Sequence, residues 1–277
     1  MKRLKRSSEL VSILEAMGRP FTLVSTNGTA TVKADGFGTV TLTDSALDGA
    51  GLRFVKAVKK EIGERMAGEE MPDLGPRDVR YFGAHPVTAV FDDVAEIDLS
   101  AAYWNTAHDM GLISGPTWEK GLSADVPKQA RLMALGSIAS IKTKMRFDGE
   151  EYHFEGTQQG DYRGWFFAVA KRVGEVVSDY FEANPDTCLL YWVDAVFVRV
   201  SQRGAAREFF AERGYAVKEK AVVSADCRVL PGGGFRMAFK MADGMEKVFQ
   251  KRGRDEFSDI QKRLAFAREL EAVGFLG

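Results

Sequence analysis

The stretch Glu96-Ile97-Asp98-Leu99-Ser100-Ala101-Ala102-Tyr103-Trp104-Asn105-Thr106-Ala107 closes an apolar run that begins at Val87. The run reads as a strand or strand pair that delivers Asp98 to its end. The small and aromatic residues behind it read as the start of a helix. A second acid stands in Cys188-Leu189-Leu190-Tyr191-Trp192-Val193-Asp194-Ala195-Val196-Phe197-Val198, which is otherwise apolar. A carboxylate in a buried strand is costly unless it is paired or binds a metal. Asp98 also suits a helix N-cap, and Asp194 suits a bulge or a hydrogen-bonded buried acid. Two such acids in one chain ask for a joint explanation.

Upstream of this stretch, Ser7 to Met17 carries apolar residues at helical spacing and is stopped by Gly18. Strand-like runs follow at Pro20 to Ser25, Thr29 to Lys33 and Thr39 to Thr43, with turns expected at Asn27-Gly28 and Asp35-Gly36. Gly51 to Met66 is an amphipathic helix by its period. Residues 1–70 thus predict a small α-β-β-β-α module, an order shared with double-stranded RNA-binding domains and with many unrelated folds. Ala67 to Pro76, rich in Gly, Glu and Pro, marks the boundary.

Residues 77–277 predict an α+β domain, an antiparallel sheet with helices on one face. Strands are expected at Val79 to Phe82, Val87 to Ile97, Cys188 to Val200, Tyr215 to Val223, Arg228 to Leu230, Phe235 to Lys240 and Lys247 to Phe249. Helices are expected after Asp98, over Val126 to Met145, Trp165 to Phe181, Gly204 to Arg213 and Asp255 to Val273, with a turn at Ser114-Gly115-Pro116 and a hairpin over Met145 to Glu155 that turns at Asp148-Gly149. Lys128, Arg131 and Lys142 fall on one arc of the Val126 helix and would suit a polyphosphate.

The 277 residues carry a net charge of -1, so no global basic field announces nucleic acid. The basic N-terminal hexamer Met1-Lys2-Arg3-Leu4-Lys5-Arg6 reads as a solvated tail or a phosphate-contacting arm. Two cysteines make no disulfide framework, and no apolar run spans a membrane; a cytoplasmic protein is expected. The chain has no Gly-x-Ser-x-Gly elbow and no His-Glu-x-x-His helix, and its three histidines are scattered. Strand-borne carboxylates remain. Two of them on adjacent strands can hold a pair of Mg²⁺ ions about 4 Å apart and drive phosphoryl transfer. Oxygen ligands suit Mg²⁺ or Mn²⁺ rather than zinc.

Asp98-Leu99-Ser100-Ala101-Ala102-Tyr103 resembles the first palm motif of family B DNA polymerases, in which an Asp is followed five residues later by a Tyr. Tyr191 to Val198 resembles the family's other acidic motif, Tyr-Gly-Asp-Thr-Asp-Ser on a hairpin, with Asp194 at the second, metal-binding Asp and Trp192 at the first. The resemblance covers about Val87 to Lys220 and implies a reduced polymerase of phage or mobile-element type, with a fingers segment at about 111–145. It implies that Asp98 and Asp194 hold Mg²⁺ or Mn²⁺ as the catalytic pair and that Tyr103 gates the sugar. Arg131 or Lys128 would hold the triphosphate, and Lys240 would stand for the primer-terminus lysine. A DNA primer-template and dNTPs would be the partners. The fingers helix lacks the family's Asn and Tyr-Gly. The alternative is an inactive palm-type protein that binds nucleic acid or a protein partner; a nucleotidyltransferase without a template is a third possibility.

Overall fold

The structure, a computed structural model, describes residues 7–26, 29–34, 36, 38–43 and 47–251. In chain order its elements are α1 (Ser7–Ala16), β1 (Phe21–Thr26), β2 (Thr29–Ala34), β3 (Gly38–Thr43), α2 (Gly49–Arg65), β4 (Phe82–Ala84), β5 (Ala89–Phe91) and β6 (Val94–Leu99). Then come α3 (Ala102–Asp109), α4 (Gly115–Leu122), α5 (Lys128–Ile138), β7 (Ile141–Phe147), β8 (Tyr152–Gln159) and α6 (Arg163–Ala183). The last are β9 (Cys188–Trp192), β10 (Ala195–Arg199), α7 (Arg203–Glu212), β11 (Val217–Leu230), β12 (Gly234–Met241) and β13 (Glu246–Lys251). The fold is α+β, and every strand pairing is antiparallel.

The chain divides into two compact units, Met1–Val79 with Ala101–Val173, and Arg80–Ser100 with Gly174–Gly277. This differs from the expected division into 1–70 and 77–277. The physical reason is strand pairing: β1 has β2 on one side and β7 on the other, with Phe21 opposite both Ala34 and Phe147. The expected α-β-β-β-α module is therefore not closed. Its sheet is five-stranded, in the order β3-β2-β1-β7-β8, and the expected fingers segment belongs to the same unit.

In the first unit, α1 lays Leu14 against Phe21, Val32, Ala34 and Phe147 on one face of that sheet. A second core joins Phe54, Val58 and Ile62 of α2 to Ala130, Ala134, Leu135 and Ile138 of α5. Fully burying one such large aliphatic side chain is worth about 1.5–3 kcal/mol. Helix starts follow the local chemistry. Asp48 accepts from Gly51 N at 2.7 Å and caps α2. Ser114 accepts from Thr117 N and caps α4, so Ser114-Gly115-Pro116 opens a helix where only a turn was expected. Glu61 of α2 secures that corner, accepting from Ser114 N at 2.7 Å and from the Thr117 hydroxyl at 2.5 Å. The Val126 helix is shorter than expected: α5 stops at Ile138, and Lys142 stands on β7 rather than in a helical basic row.

The second unit is one sheet in the order β13-β12-β11-β6-β10-β9-β4, with β5 pairing β11. The two strands expected at Tyr215 and Arg228 are the single long β11. The run expected as one strand from Cys188 is the antiparallel hairpin β9–β10. One face of the sheet takes the C-terminal half of α6, where Phe181 meets Tyr191 at 5.1 Å between ring centroids, and α7, where Phe210 meets Tyr180 at 5.3 Å. The other face curls on itself. Phe82 of β4 stacks on Phe235 of β12 and Phe249 of β13, so the opposite ends of the strand order meet over a shared interior. Phe197 packs there on Phe239 at 4.2 Å. The expected helix over Asp255 to Val273, the basic N-terminal hexamer and the Asn27-Gly28 turn lie outside the described residues. No helix among the described residues is long and apolar enough to cross a membrane.

Both cysteines sit in this sheet, Cys188 at 0% and Cys227 at 1% exposure. Burial pushes the Cys188 thiol up to about 12 and the Cys227 thiol up to about 11. Neither is expected to react with a thiol reagent at pH 8 until the protein unfolds, when both should. Rapid stoichiometric labelling of the folded chain would contradict this burial.

Candidate functional site

Strand period two places Glu96 and Asp98 on the same face of β6. The ladder sets Phe197 of β10 and Lys220 of β11 opposite Glu96, and Ala195 and Lys218 opposite Asp98. This is the interior face of the curled sheet. Glu96 is 1% exposed, a carboxylate that needs cations beside it. Two reach it. Lys220 Nζ donates to Glu96 Oε1 at 2.9 Å, and Lys247 Nζ of β13 donates to Glu96 Oε2 at 2.6 Å. The same Lys220 ammonium donates to Asp98 Oδ2 at 2.7 Å. Burial works against the charge of Lys220, but the hydrogen bonds it donates to Asp98 and Glu96 outweigh it and hold the ammonium above its ordinary value.

Asp194 reaches the same end of the sheet by another device. It is the second of the two residues that join β9 to β10. The first, Val193, has φ 57, a left-handed conformation normally left to Gly at this position of a tight hairpin. A β-branched residue held there costs about 1–3 kcal/mol. The turn is fixed at both ends: Val193 N donates to Tyr81 O at 2.8 Å, and Leu99 N donates to Asp194 O at 2.9 Å. Ala101, three residues after Asp98, has φ 52. Among the described residues these are the two non-glycine positions with positive φ, and each adjoins one acidic motif. Asp98 itself lies within β6, and Ala101 takes the N-cap position of α3.

Asp98 and Asp194 thus stand on neighbouring strands, tied by the Leu99–Asp194 backbone bond. They are one step out of phase, because Asp98 is level with Ala195 and Asp194 with Leu99. Among the described residues no three His, Cys, Asp or Glu side chains gather as a group able to hold a metal ion. Oxygens of Asp98 and Glu96 are turned onto lysine ammonium groups instead. In this arrangement the acids do not form a ready cradle for the expected pair of Mg²⁺ or Mn²⁺ ions.

The other expected site residues are placed as follows. Tyr103 lies on α3 in the first unit, its ring stacked on Phe166 with centroids 6.3 Å apart. Lys128 opens α5, and Arg131 follows one turn later; burial lowers the pKa of Arg131. Lys240 is exposed on β12, where alternation turns it away from the interior face that holds Phe239. The lysines that meet the acids are Lys220 and Lys247. Lys247 pairs with Phe239 across the β12–β13 ladder and so shares its face. Glu96 could have been found from its position two residues before Asp98. Nothing in the sequence marks that Lys247 folds back onto it.

Beside this cluster lies a cavity of about 610 Å³ walled by Phe82, Trp192, Phe197 and Phe249, with Lys247 and Lys251 among its lining. Trp192 is 47% exposed although its neighbours in β9 are buried. It contacts Phe82 edge to face at 5.8 Å and Phe249 at 5.5 Å. No family model matches this sequence, and no curated protein matches it.

Replacing Lys220 or Lys247 singly by Met is expected to destabilise the fold by about 1–3 kcal/mol, since Glu96 keeps one ammonium. The double variant should cost more than the sum, because a buried carboxylate is then left alone. Urea unfolding of the four proteins tests this; strictly additive small effects would show that the lysines do not act together. The Lys220 ammonium titrates above its ordinary value of 10.5 when folded. Its stabilisation is therefore complete below that pH and is lost as pH rises through the folded value.

Proposed function

We propose that the protein binds single-stranded nucleic acid through the second unit, stacking a base in the aromatic cavity beside Glu96 without metal chemistry. The observation that carries this is the half-exposed Trp192 on the wall of that cavity, next to an acid pair neutralised by lysine. An indole face offers a base a sequence-tolerant platform worth about 1–3 kcal/mol. Lys251 supplies a cation at the lining for the adjoining phosphate. A base must be unpaired to enter, which favours single strands over duplex. The palm-type pairing of β6 with the β9–β10 hairpin serves as scaffold.

A second reading is a reduced template-directed DNA polymerase with Mg²⁺ or Mn²⁺ at Asp98 and Asp194. One observation favours it: the two acids meet at one end of adjacent strands, and both motifs carry a left-handed residue that the fold holds in place. It requires Lys220 to leave Asp98.

Fluorescence anisotropy with a labelled oligo-dT should show binding that persists in EDTA. Trp192→Ala should weaken it about 5- to 100-fold. Equal affinity of the Trp192→Ala variant would sink the cavity reading. Primer extension in Mg²⁺ or Mn²⁺ separates the two: extension by the wild type that Asp98→Ala and Asp194→Ala both abolish would establish the polymerase.

A further inference from the structure

We infer that the first unit carries its own nucleic-acid-binding surface, the face of its five-stranded sheet that no helix among the described residues covers. The inference takes its ligand class from the reading above but rests on a different unit and different residues. Helix α1 packs on one face of this sheet, through Leu14 against Phe21, Val32, Ala34 and Phe147. Strand alternation then assigns the residues between these to the opposite face.

On β7 that face carries Lys142, Lys144 and Arg146, all exposed. On β2 it carries Lys33, which the ladder places level with Thr22 of β1, itself level with Arg146. Threonines fill the ground between: Thr22, Thr31, Thr39 and Thr41, with Thr31 and Thr41 hydrogen-bonded at 3.1 Å. Gln158 of β8 lies level with Lys142. Lysine, arginine, threonine and glutamine are the side chains that contact phosphate oxygens. Successive cations on β7 are spaced by about 6.8 Å, twice the 3.4 Å axial repeat of phosphates along one strand.

Two carboxylates restrain this face: Asp148, which lines one hollow with Thr22, Lys33 and Arg146 and pairs with His153 at 2.5 Å, and Glu155. Glu155 pairs with Lys144 at 2.7 Å and with Arg146 at 3.5 Å. Among the described residues Lys33 and Lys142 make no ion pair. Among the described residues, a face with four cations and two acids, no helix over it and little apolar surface fits a polyanion backbone rather than a protein core. The net charge of -1 conceals it, because the compensating acids lie elsewhere.

The test uses the full chain and a labelled oligonucleotide, single-stranded and duplex in parallel, titrated from 50 to 200 mM salt. The variant Lys142→Ala/Lys144→Ala/Arg146→Ala should bind at least tenfold more weakly at 50 mM. The slope of log K against log salt should become shallower by about 2. Glu155→Gln should tighten binding several-fold, a gain that misfolding cannot produce. Lys56→Ala/Lys59→Ala on α2 should leave affinity unchanged. Unchanged affinity and slope in the triple variant overturn the inference, as does binding of anionic phospholipid vesicles without oligonucleotide binding. If the triple variant binds normally while Trp192→Ala does not, this surface fails and the cavity stands; the reverse result keeps the surface and removes the cavity.

Discussion

The second unit depends on a charge that it cannot leave uncompensated. Glu96 lies at the centre of the sheet, between β10 and β11, with almost no access to water. An ionised carboxylate in that place requires cations with correct geometry, and two strands supply them. Lys220 comes from the adjacent β11. Lys247 comes from β13, at the far edge of the strand order, and can reach Glu96 only because the sheet curls. The aromatic interior and the ion cluster therefore specify the same curvature. Phe197, Phe239 and Phe249 bring the edge over, and the acid fixes where it stops.

That arrangement also governs what the acidic motif can do. Lys220 touches both Glu96 and Asp98 and Lys247 holds the other oxygen of Glu96, so two ammonium groups meet the charge of the two acids. The motif keeps its place in the sheet while its charge is met from within the chain. A strained turn at Val193 and a left-handed Ala101 persist next to the two acids, held by neighbouring backbone bonds. Strain of this kind is maintained only where surrounding structure over-determines it.

Much of the architecture could be read from the sequence, because amphipathic period and turn chemistry are local. The helices α1, α2, α6 and α7 and most strands stand within a few residues of expectation. The structure departs from local pattern where partners lie far apart in the chain. Residues 141–159 join β1 because Phe147 and Met145 complete its apolar face, and no local pattern announces that. Ile141 to Phe147 alternates, but Lys142 also fits the helical arc of Lys128 and Arg131, so the local pattern alone extends the helix over it. At the site, Asp98 and Asp194 stood out as lone acids in apolar runs, whereas Glu96, Lys220 and Lys247 have meaning only together. Lys240 and Lys247 are equally plausible on paper; only the ladder with Phe239 distinguishes the lysine that points inward.

The placement of β1 between β2 and β7 has a consequence for biogenesis. During synthesis β1 finds β2 within seconds, but β7 emerges roughly 120 residues later, about 6–25 s at ordinary elongation rates. For that interval the nascent chain presents an open, unpaired strand edge, which is a template for wrong partners. Such non-local pairing also slows folding. Premature termination anywhere before residue 141 would leave that edge permanently exposed, so truncated products are candidates for aggregation or clearance rather than for partial function.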